Sequence, residues 1–420
     1  MINMARKNIL FIAPFNLSIR DGTSIRVTNL MKAAANICNY VFLLSYTSNE
    51  ELSTLTNLRH VKMDAHRFMH RLLLAYADIF LPKSGFCFIA KGILGTRFCE
   101  VLKDIAMHAD IIHIHFLTNK YFIKIFNKSV KYNSKPIIID LHGLYRLQPI
   151  PMYSVRAALA HLLGLIHEIL AIRDGVITAF TVPSEGLKSF LTNFYRIPSN
   201  RIFVVPDAVD EQVIEYARKC HAIEEEVGRY LNKQYIDSSN SIAYVGSISV
   251  FHGFFDLVKV IKVIEKEFRR SVTLLLIVPN KKQVLEISDL LPKNTIIMEN
   301  IPRKLIPCIL RKASVLVLPH RAGTQFDYIP SNKIYDYMLA GRPIVAYRTP
   351  ATVETLRSYS MKILVKPNDV HALARGIIKA LGLWSHYEAK PIFDSIPTLN
   401  AVEKALEDAY KAVLTFSYNS

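Results

Sequence analysis

Ile329-Pro330-Ser331-Asn332-Lys333-Ile334-Tyr335-Asp336-Tyr337-Met338-Leu339-Ala340-Gly341-Arg342-Pro343-Ile344-Val345-Ala346 reads as a loop, a short helix, a glycine stop and a buried strand. Ser331 is the expected N-cap, and Gly341 followed by Pro343 marks the far end. Lys333 and Asp336 stand three residues apart and so share one helical face. A helix start with open amides, a lysine beside it and a carboxylate one turn on suits a ligand carrying both phosphate and hydroxyl groups. The same stretch also fits an ordinary capped αβ unit whose charges face water, so the rest of the chain has to decide.

Outward from this stretch, short apolar runs recur with helical segments between them, the pattern of a parallel sheet. The first half predicts strands over Asn8–Pro14, Val41–Tyr46, Ile111–Phe116, Ile137–Leu141, Val176–Val182 and Ile202–Val205. The second half predicts Ile242–Val245, Val272–Val278, Thr295–Met298, Val315–Leu318, Ile344–Ala346 and Ile363–Val365. Most are continuous Ile, Leu and Val rather than alternating, as expected when helices cover both faces. The charged segment Arg218 to Asn240 is the expected boundary between two doubly wound α/β domains, 1–220 and 221–385, with C-terminal helices over 386–420. In such sheets ligands bind beyond the carboxyl ends of the strands, and with two domains the cleft between them is the expected site.

Composition narrows the classes. A chain of 420 residues is long for one core, and 51% hydrophobic with 21% charged residues argues for large buried sheets rather than disorder. Cys38, Cys87, Cys99, Cys220 and Cys308 are far apart, without a CxxC, which predicts reduced thiols, a cytoplasmic setting and no metal centre. The net charge of +17 favours anionic lipid or phosphorylated small molecules. With no zinc-finger spacing or RNP-like aromatic motif, nucleic acid is not expected. The stretch Phe68 to Phe98 interleaves leucine, isoleucine and phenylalanine with Arg71, Lys83, Lys91 and Arg97, a composition suited to an anionic leaflet or to packing on a sheet. The apolar run Ala157 to His167 is too short to span a bilayer and predicts a buried or interfacial helix.

The residues that follow strands carry the chemistry. Gly22 and Thr23 open the first helix, where backbone and hydroxyl donors meet a ligand, although no GxGxxG is present. His113 and His115 fall on one strand face; His115, at the strand end, is expected at the cleft and His113 in the core. His142 and Gly143 close the next strand, placing an imidazole at the rim to bond a sugar or phosphate or to move a proton. No third close ligand accompanies the histidines in sequence, so no metal is expected. Gly246 and Gly253 frame a loop before a helix that begins near Phe254, which reads as a phosphate-facing segment or as a structural turn.

Taken in order, these pieces resemble the glycogen-synthase-like glycosyltransferases of family 4, which have the GT-B fold. The likeness extends over nearly the whole chain and is strongest in the second domain. The family's glycine, basic residue, variable loop and lysine-glycine look like Gly246-Ser247 through His252-Gly253, and its acidic helix with alanine-glycine-x-proline looks like Asp336 through Pro343. Val204-Val205-Pro206-Asp207-Ala208-Val209-Asp210 is similar to the signature that closes the first domain, and Val365 through Asp369 resembles a late strand and turn. The resemblance implies a hexosyltransferase-like enzyme that takes a nucleotide-sugar donor and a glycan or lipid-linked hydroxyl acceptor, retains the anomeric configuration and needs no metal or other cofactor. With the basic surface and the Phe68–Phe98 stretch, the expected place of work is the cytoplasmic side, with peripheral contact to an anionic membrane. It places donor ribose on Asp336, diphosphate on Ser331, Asn332 and Lys333, and base near Asn300 and Ile301, with Gly22, Thr23 and His142 approaching from the first domain.

Three departures matter. The family's diphosphate arginine is Ser247, and its lysine is His252; Lys333, helped by Arg26 or a protonated His252, is expected to compensate. The family's first glutamate falls on Tyr328, beside Asp327, which is expected to substitute; the catalytic candidates are thus His142, Asp327 and Lys333. These departures leave room for a non-catalytic nucleotide- or glycan-binding partner protein, and for an inverting or epimerase-type enzyme with His142 as base.

Overall fold

The computed structural model describes residues 2–13, 17, 22–45, 47–48, 50–62, 104–115, 135–148, 150, 155–173, 177–231, 240–279, 282–285, 287–384 and 388–418. The basic stretch expected at an anionic leaflet, 68–98, lies outside the described residues. The chain divides into two compact units, residues 1–208 with 399–420, and residues 209–398.

In unit 1, β1 (Asn8–Ile12), β2 (Tyr40–Ser45), β3 (Leu58–Lys62), β4 (Ile111–His115), β5 (Ile137–Asp140), β6 (Ala179–Val182) and β7 (Ile202–Val204) form one sheet in the order β3-β2-β1-β4-β5-β6-β7. Every neighbouring pair is parallel. The helices used below are α1 (Gly22–Ile37), α2 (Val155–Ile172) and α3 (Glu185–Phe194). In unit 2, β8 (Ser241–Val245), β9 (Thr273–Val278), β10 (Thr295–Glu299), β11 (Val315–Leu318), β12 (Ile344–Tyr347) and β13 (Lys362–Val365) run in the order β10-β9-β8-β11-β12-β13, again all parallel. Its helices include α4 (Glu211–Arg218), α5 (Phe254–Glu267), α6 (Ile306–Leu310), α7 (Lys333–Ala340) and α8 (Val370–Trp384); α9 (Leu399–Tyr418) belongs to unit 1. Two parallel sheets with helices give the two-domain Rossmann-like α/β fold, and each strand order reverses direction once, between β1 and β4 and between β8 and β11.

Cores follow from the apolar runs. Residues Ile9 to Ile12 of β1 and the whole of β4, β5, β6, β8, β11 and β12 are buried, as strands covered on both faces must be. On one side of sheet 1, α9 packs Val402, Leu406, Tyr410, Val413 and Leu414 into a cluster with Val27, Leu30, Met31 and Ala34 of α1. The hydroxyl of Tyr410 lies 2.9 Å from His113 Nδ1, and Thr181 Oγ1 lies 3.3 Å from Nε2, so His113 is a satisfied core histidine; burial pulls it down to about 3.

The division between units falls at Ala208 rather than at 220, and the return to unit 1 begins at Leu399 rather than at 386. The reason is packing: Val213 and Ala217 of α4, with Cys220 and Val227, are buried in the core of unit 2. Cys220 is disulfide-bonded to Cys308 of α6, which corrects the expectation of reduced thiols at these two positions. Their separation of 88 residues hides the juxtaposition that the fold creates. Among the described residues no helix is long and apolar enough to cross a membrane.

Candidate functional site

Unit 2 assembles most of the expected residues at the point where its strand order reverses. Gly246 follows β8 directly and takes a φ of +129°, a conformation that favours glycine. A Cβ there would lie 2.2 Å from Lys333 Cε and 2.4 Å from Nζ, so the missing side chain makes room for the lysine. Lys333 as a residue is half-buried, because its backbone sits at the open start of α7, but Nζ itself is shielded from solvent and has no hydrogen-bond partner among the described residues. The Tyr244 ring is 5.2 Å away. Burial lowers the amine to about 7, with Asp336 acting in the other direction. A shielded amine without a partner is costly unless an anion completes it.

The start of α7 differs from expectation. The N-cap is Asn332 rather than Ser331, in αR conformation and without a side-chain capping bond. The Ile334 and Tyr335 amides donate to the Ser331 and Asn332 carbonyls at 2.9 and 3.3 Å, so a tight backbone turn replaces a hydroxyl cap. The donors this leaves at the helix start are the amides of 331–333, with buried Asn332 Oδ1 also unpartnered among the described residues. Gly341 closes the helix in left-handed conformation, φ +72°, as expected. Tyr337 fixes the helix against the sheet: its hydroxyl donates to Val317 O at 3.1 Å and accepts from the Val245 amide at 3.2 Å.

Asp336 is buried and faces Arg303, whose guanidinium approaches Oδ1 at 3.4 Å. Burial raises the carboxyl, while Arg303 and Lys333 pull it back. Asn300, just after β10, has φ +55° and is exposed; Ile301 is partly buried against the core. Ser247 accepts at its carbonyl from the Tyr244 hydroxyl, 2.8 Å. His252 Nδ1 lies 2.7 Å from Ser249 Oγ, and its ring sits beside Phe326 and His320. Burial, then Lys333, lowers His252 to about 3, which corrects the expectation of a protonated His252. Asp327 Oδ2 accepts from the Gly323 amide at 2.7 Å, and burial raises its carboxyl.

Unit 1 brings Gly22, Thr23 and His142 together at its own reversal point. Thr23 Oγ1, in the first turn of α1, lies 3.1 Å from His142 Nε2. The His142 ring stacks on His115 at 4.5 Å. Burial and then His115 push His142 well below its ordinary value, so it is neutral near pH 7. His115 is not at the rim but fully buried, its Nδ1 2.8 Å from Asp140 Oδ2. Arg26 is committed too, which corrects its expected role at a diphosphate. Its guanidinium donates to Asp140 Oδ2 at 3.0 Å and Oδ1 at 2.6 Å, to Asp207 Oδ1 at 2.6 Å and to Val205 O at 3.0 Å. Burial would raise Asp140, but Arg26 and then His115 hold it well below the usual carboxylate range. His115, Asp140 and His142 offer ligand atoms within 4.8 Å of one another. With both Asp140 oxygens bonded to a guanidinium, a cation there would be set against a fixed positive charge.

Sequence reasoning missed Arg303, His320, Asp140 and Asp207. His320, buried and stacked on Phe326 at 4.1 Å, stands two residues after the end of β11 and was findable by the strand-end rule. The carboxylates had no local signal, since their partner Arg26 lies more than a hundred residues away.

Residues 239–382 match the family model of the group 1 glycosyl transferases. No curated protein sequence matches the chain significantly. Among solved structures, a glycosyltransferase from Rickettsia africae ESF-5 is 17% identical with a TM-score of 0.59, over 98% of this chain and 94% of that one. Sucrose-phosphate synthase from Thermosynechococcus elongatus is 14% identical with a TM-score of 0.63, over 98% and 97%. Anabaena HepE, in complex with UDP and glucose, is 13% identical with a TM-score of 0.61, over 97% and 100%. At these identities the likeness is one of fold.

Proposed function

We propose that this chain transfers a sugar from a nucleoside-diphosphate donor to a hydroxyl acceptor on a glycan or lipid-linked saccharide, as a family 4 enzyme that retains the anomeric configuration. One observation carries the reading: the shielded, unpartnered Lys333 amine against the Gly246 backbone, one turn from Asp336, inside the segment that matches the group 1 glycosyl transferases. The donor diphosphate takes the amides of 331–333 and Lys333. As the glycosidic bond breaks, negative charge grows on the leaving diphosphate, and an ammonium already fixed there stabilises it without reorganisation. That cation does the neutralisation for which no metal is invoked. Asp336, oriented by Arg303, accepts from the ribose hydroxyls, and the base lies near Asn300 and Ile301. Neutral His142, beside Thr23, is the polar group that unit 1 offers to a hydroxyl-bearing substrate.

HepE is captured with UDP and glucose, so UDP-sugars head the donor panel, followed by GDP- and ADP-sugars. A saturating donor, about 100 times its dissociation constant, should stabilise the protein by about 2.7 kcal/mol in thermal unfolding. Asp336→Ala should lose that shift and turnover together, and product NMR reports the anomer. No stabilisation by any donor sinks the proposal. Gly246→Ala provides a second check. Its methyl displaces the Lys333 amine, so nucleotide affinity measured by calorimetry should fall at least about tenfold, while backbone strain costs about 1–3 kcal/mol in urea unfolding.

Ser247 and neutral His252 favour one competing reading, a binding protein without turnover, since two cations of the family pattern are missing here. Tight nucleotide binding with no transfer to any acceptor, and no hydrolysis, selects it.

A further inference from the structure

The surface of α2 is used by nothing described so far. Its inner side buries His161, Gly164, Glu168 and Ile172. Tyr145 takes Glu168 through its amide, and Tyr195 through its hydroxyl, so the only acidic residue of the helix is consumed inside. The opposite side carries Val155, Leu159, Leu162, Ile166, Ile169 and Leu170, all exposed, from 39% to 87%. At 100° per residue these six fall within a stripe about 100° wide, which runs the length of the helix for about 22 Å. Soluble surfaces rarely keep an apolar strip of that extent without an occupant.

The border of the stripe indicates what that occupant is. Exposed Arg173 follows the last turn, and exposed Arg146 and Ile150 precede the helix. Arg146 lies 5.1 Å above the ring of Phe194, itself exposed at the end of α3, and Arg196 beyond it is exposed as well. Phe194 is tied to the neighbourhood of α2 because the next residue, Tyr195, bonds Glu168. Aliphatic side chains flanked by arginines, in a chain of net charge +17, complement a surface that is apolar beneath and negative above. A second copy of this chain would set like charges against one another, and no described helix has the length and hydropathy to cross a bilayer.

We propose that α2 lies in the headgroup region of an anionic lipid bilayer, with Leu159, Leu162 and Ile166 inserted and Arg146 and Arg173 against lipid phosphates. The surface is independent of the donor site, so the two readings fail separately: Asp336→Ala should bind vesicles as the wild type does.

The experiment is sedimentation of the full chain with vesicles of phosphatidylcholine alone and with an equimolar phosphatidylcholine and phosphatidylglycerol mixture. Hydroxyl-radical footprinting of α2 is read by mass spectrometry with and without vesicles. Wild type should partition onto the anionic vesicles only, less so at high salt. Leu159, Leu162 and Ile166 should label freely without vesicles and be protected with them. The combined variant Leu159→Gln, Leu162→Gln, Ile166→Gln should bind at least about tenfold more weakly and still fold, since the positions are exposed. Its nucleotide-induced thermal shift should be unchanged. Equal binding to neutral vesicles, or unchanged binding by the variant, overturns the proposal. So does a stripe already protected without lipid, the mark of a second copy or of another segment of this chain.

Discussion

Lys333→Met should abolish nucleotide binding and at the same time make the ligand-free protein harder to unfold. The two effects share one cause. In the unfolded chain the amine titrates at its ordinary 10.5, in the folded protein at about 7. Between these values the unfolded state holds a proton that the folded state does not, so wild-type stability rises with pH across that window. Below about pH 7 the folded protein holds a charged amine whose Nζ is shielded from solvent, a penalty on the order of 5 kcal/mol. Methionine fills the same space without charge and removes the penalty, so the gain should be largest at and below neutral pH and fade towards pH 10. Binding runs the opposite way. A diphosphate raises the amine again, so above pH 7 each complex takes up a proton and affinity falls by up to about tenfold per pH unit. Calorimetry in buffers of different ionisation enthalpy reads that proton directly. A pH-independent affinity in the wild type, or tight nucleotide binding by Lys333→Met, removes Lys333 from the diphosphate.

Arg26→Met is the second large effect, and it strikes stability. Asp140 and Asp207 are left buried without their shared guanidinium, and breaking such a pair from one side costs about 3–5 kcal/mol. In the wild type the low Asp140 carboxyl contributes stability that is present above pH 3.8 and lost below it; without Arg26 the carboxyl rises, so acid relieves the buried charge and the deficit of the variant should shrink as pH falls. Adding Asp140→Asn should recover part of the loss, since the uncompensated charge then disappears. Guanidinium unfolding of the three proteins from pH 3 to pH 7 measures the coupling. A loss below about 1 kcal/mol in Arg26→Met would mean the network is solvated.

Both sheets were legible because their central strands are written in Ile, Leu and Val, and a run such as Val315 to Leu318 admits few other readings. The strand that escaped, β3, is an edge with Arg59, His60 and Lys62 among its five residues and only partial burial. Such a segment looks like a loop until a neighbour supplies its pairing. At the site, Gly246, Lys333 and Asp336 were readable because each stands at a fixed distance from a strand end or helix start. The Ser331 cap was not, since a backbone turn satisfied the amides that a hydroxyl was expected to take. Arg26 was expected to help neutralise a diphosphate, and only the sheet order brings Asp140 and Asp207 to it. The Cys220–Cys308 bridge and the apolar face of α2 likewise depend on contacts that spacing does not encode.

The late position of α9 has a consequence for biosynthesis. All seven strands of the first sheet are translated by Val204, yet Leu406, Tyr410 and Val413 emerge only after the whole of unit 2. The nascent first sheet therefore waits with one greasy flank bare while the second lobe matures on its own. Chaperone engagement should concentrate in that interval, and tags or ribosome pauses near the carboxyl terminus should trouble the lobe made first.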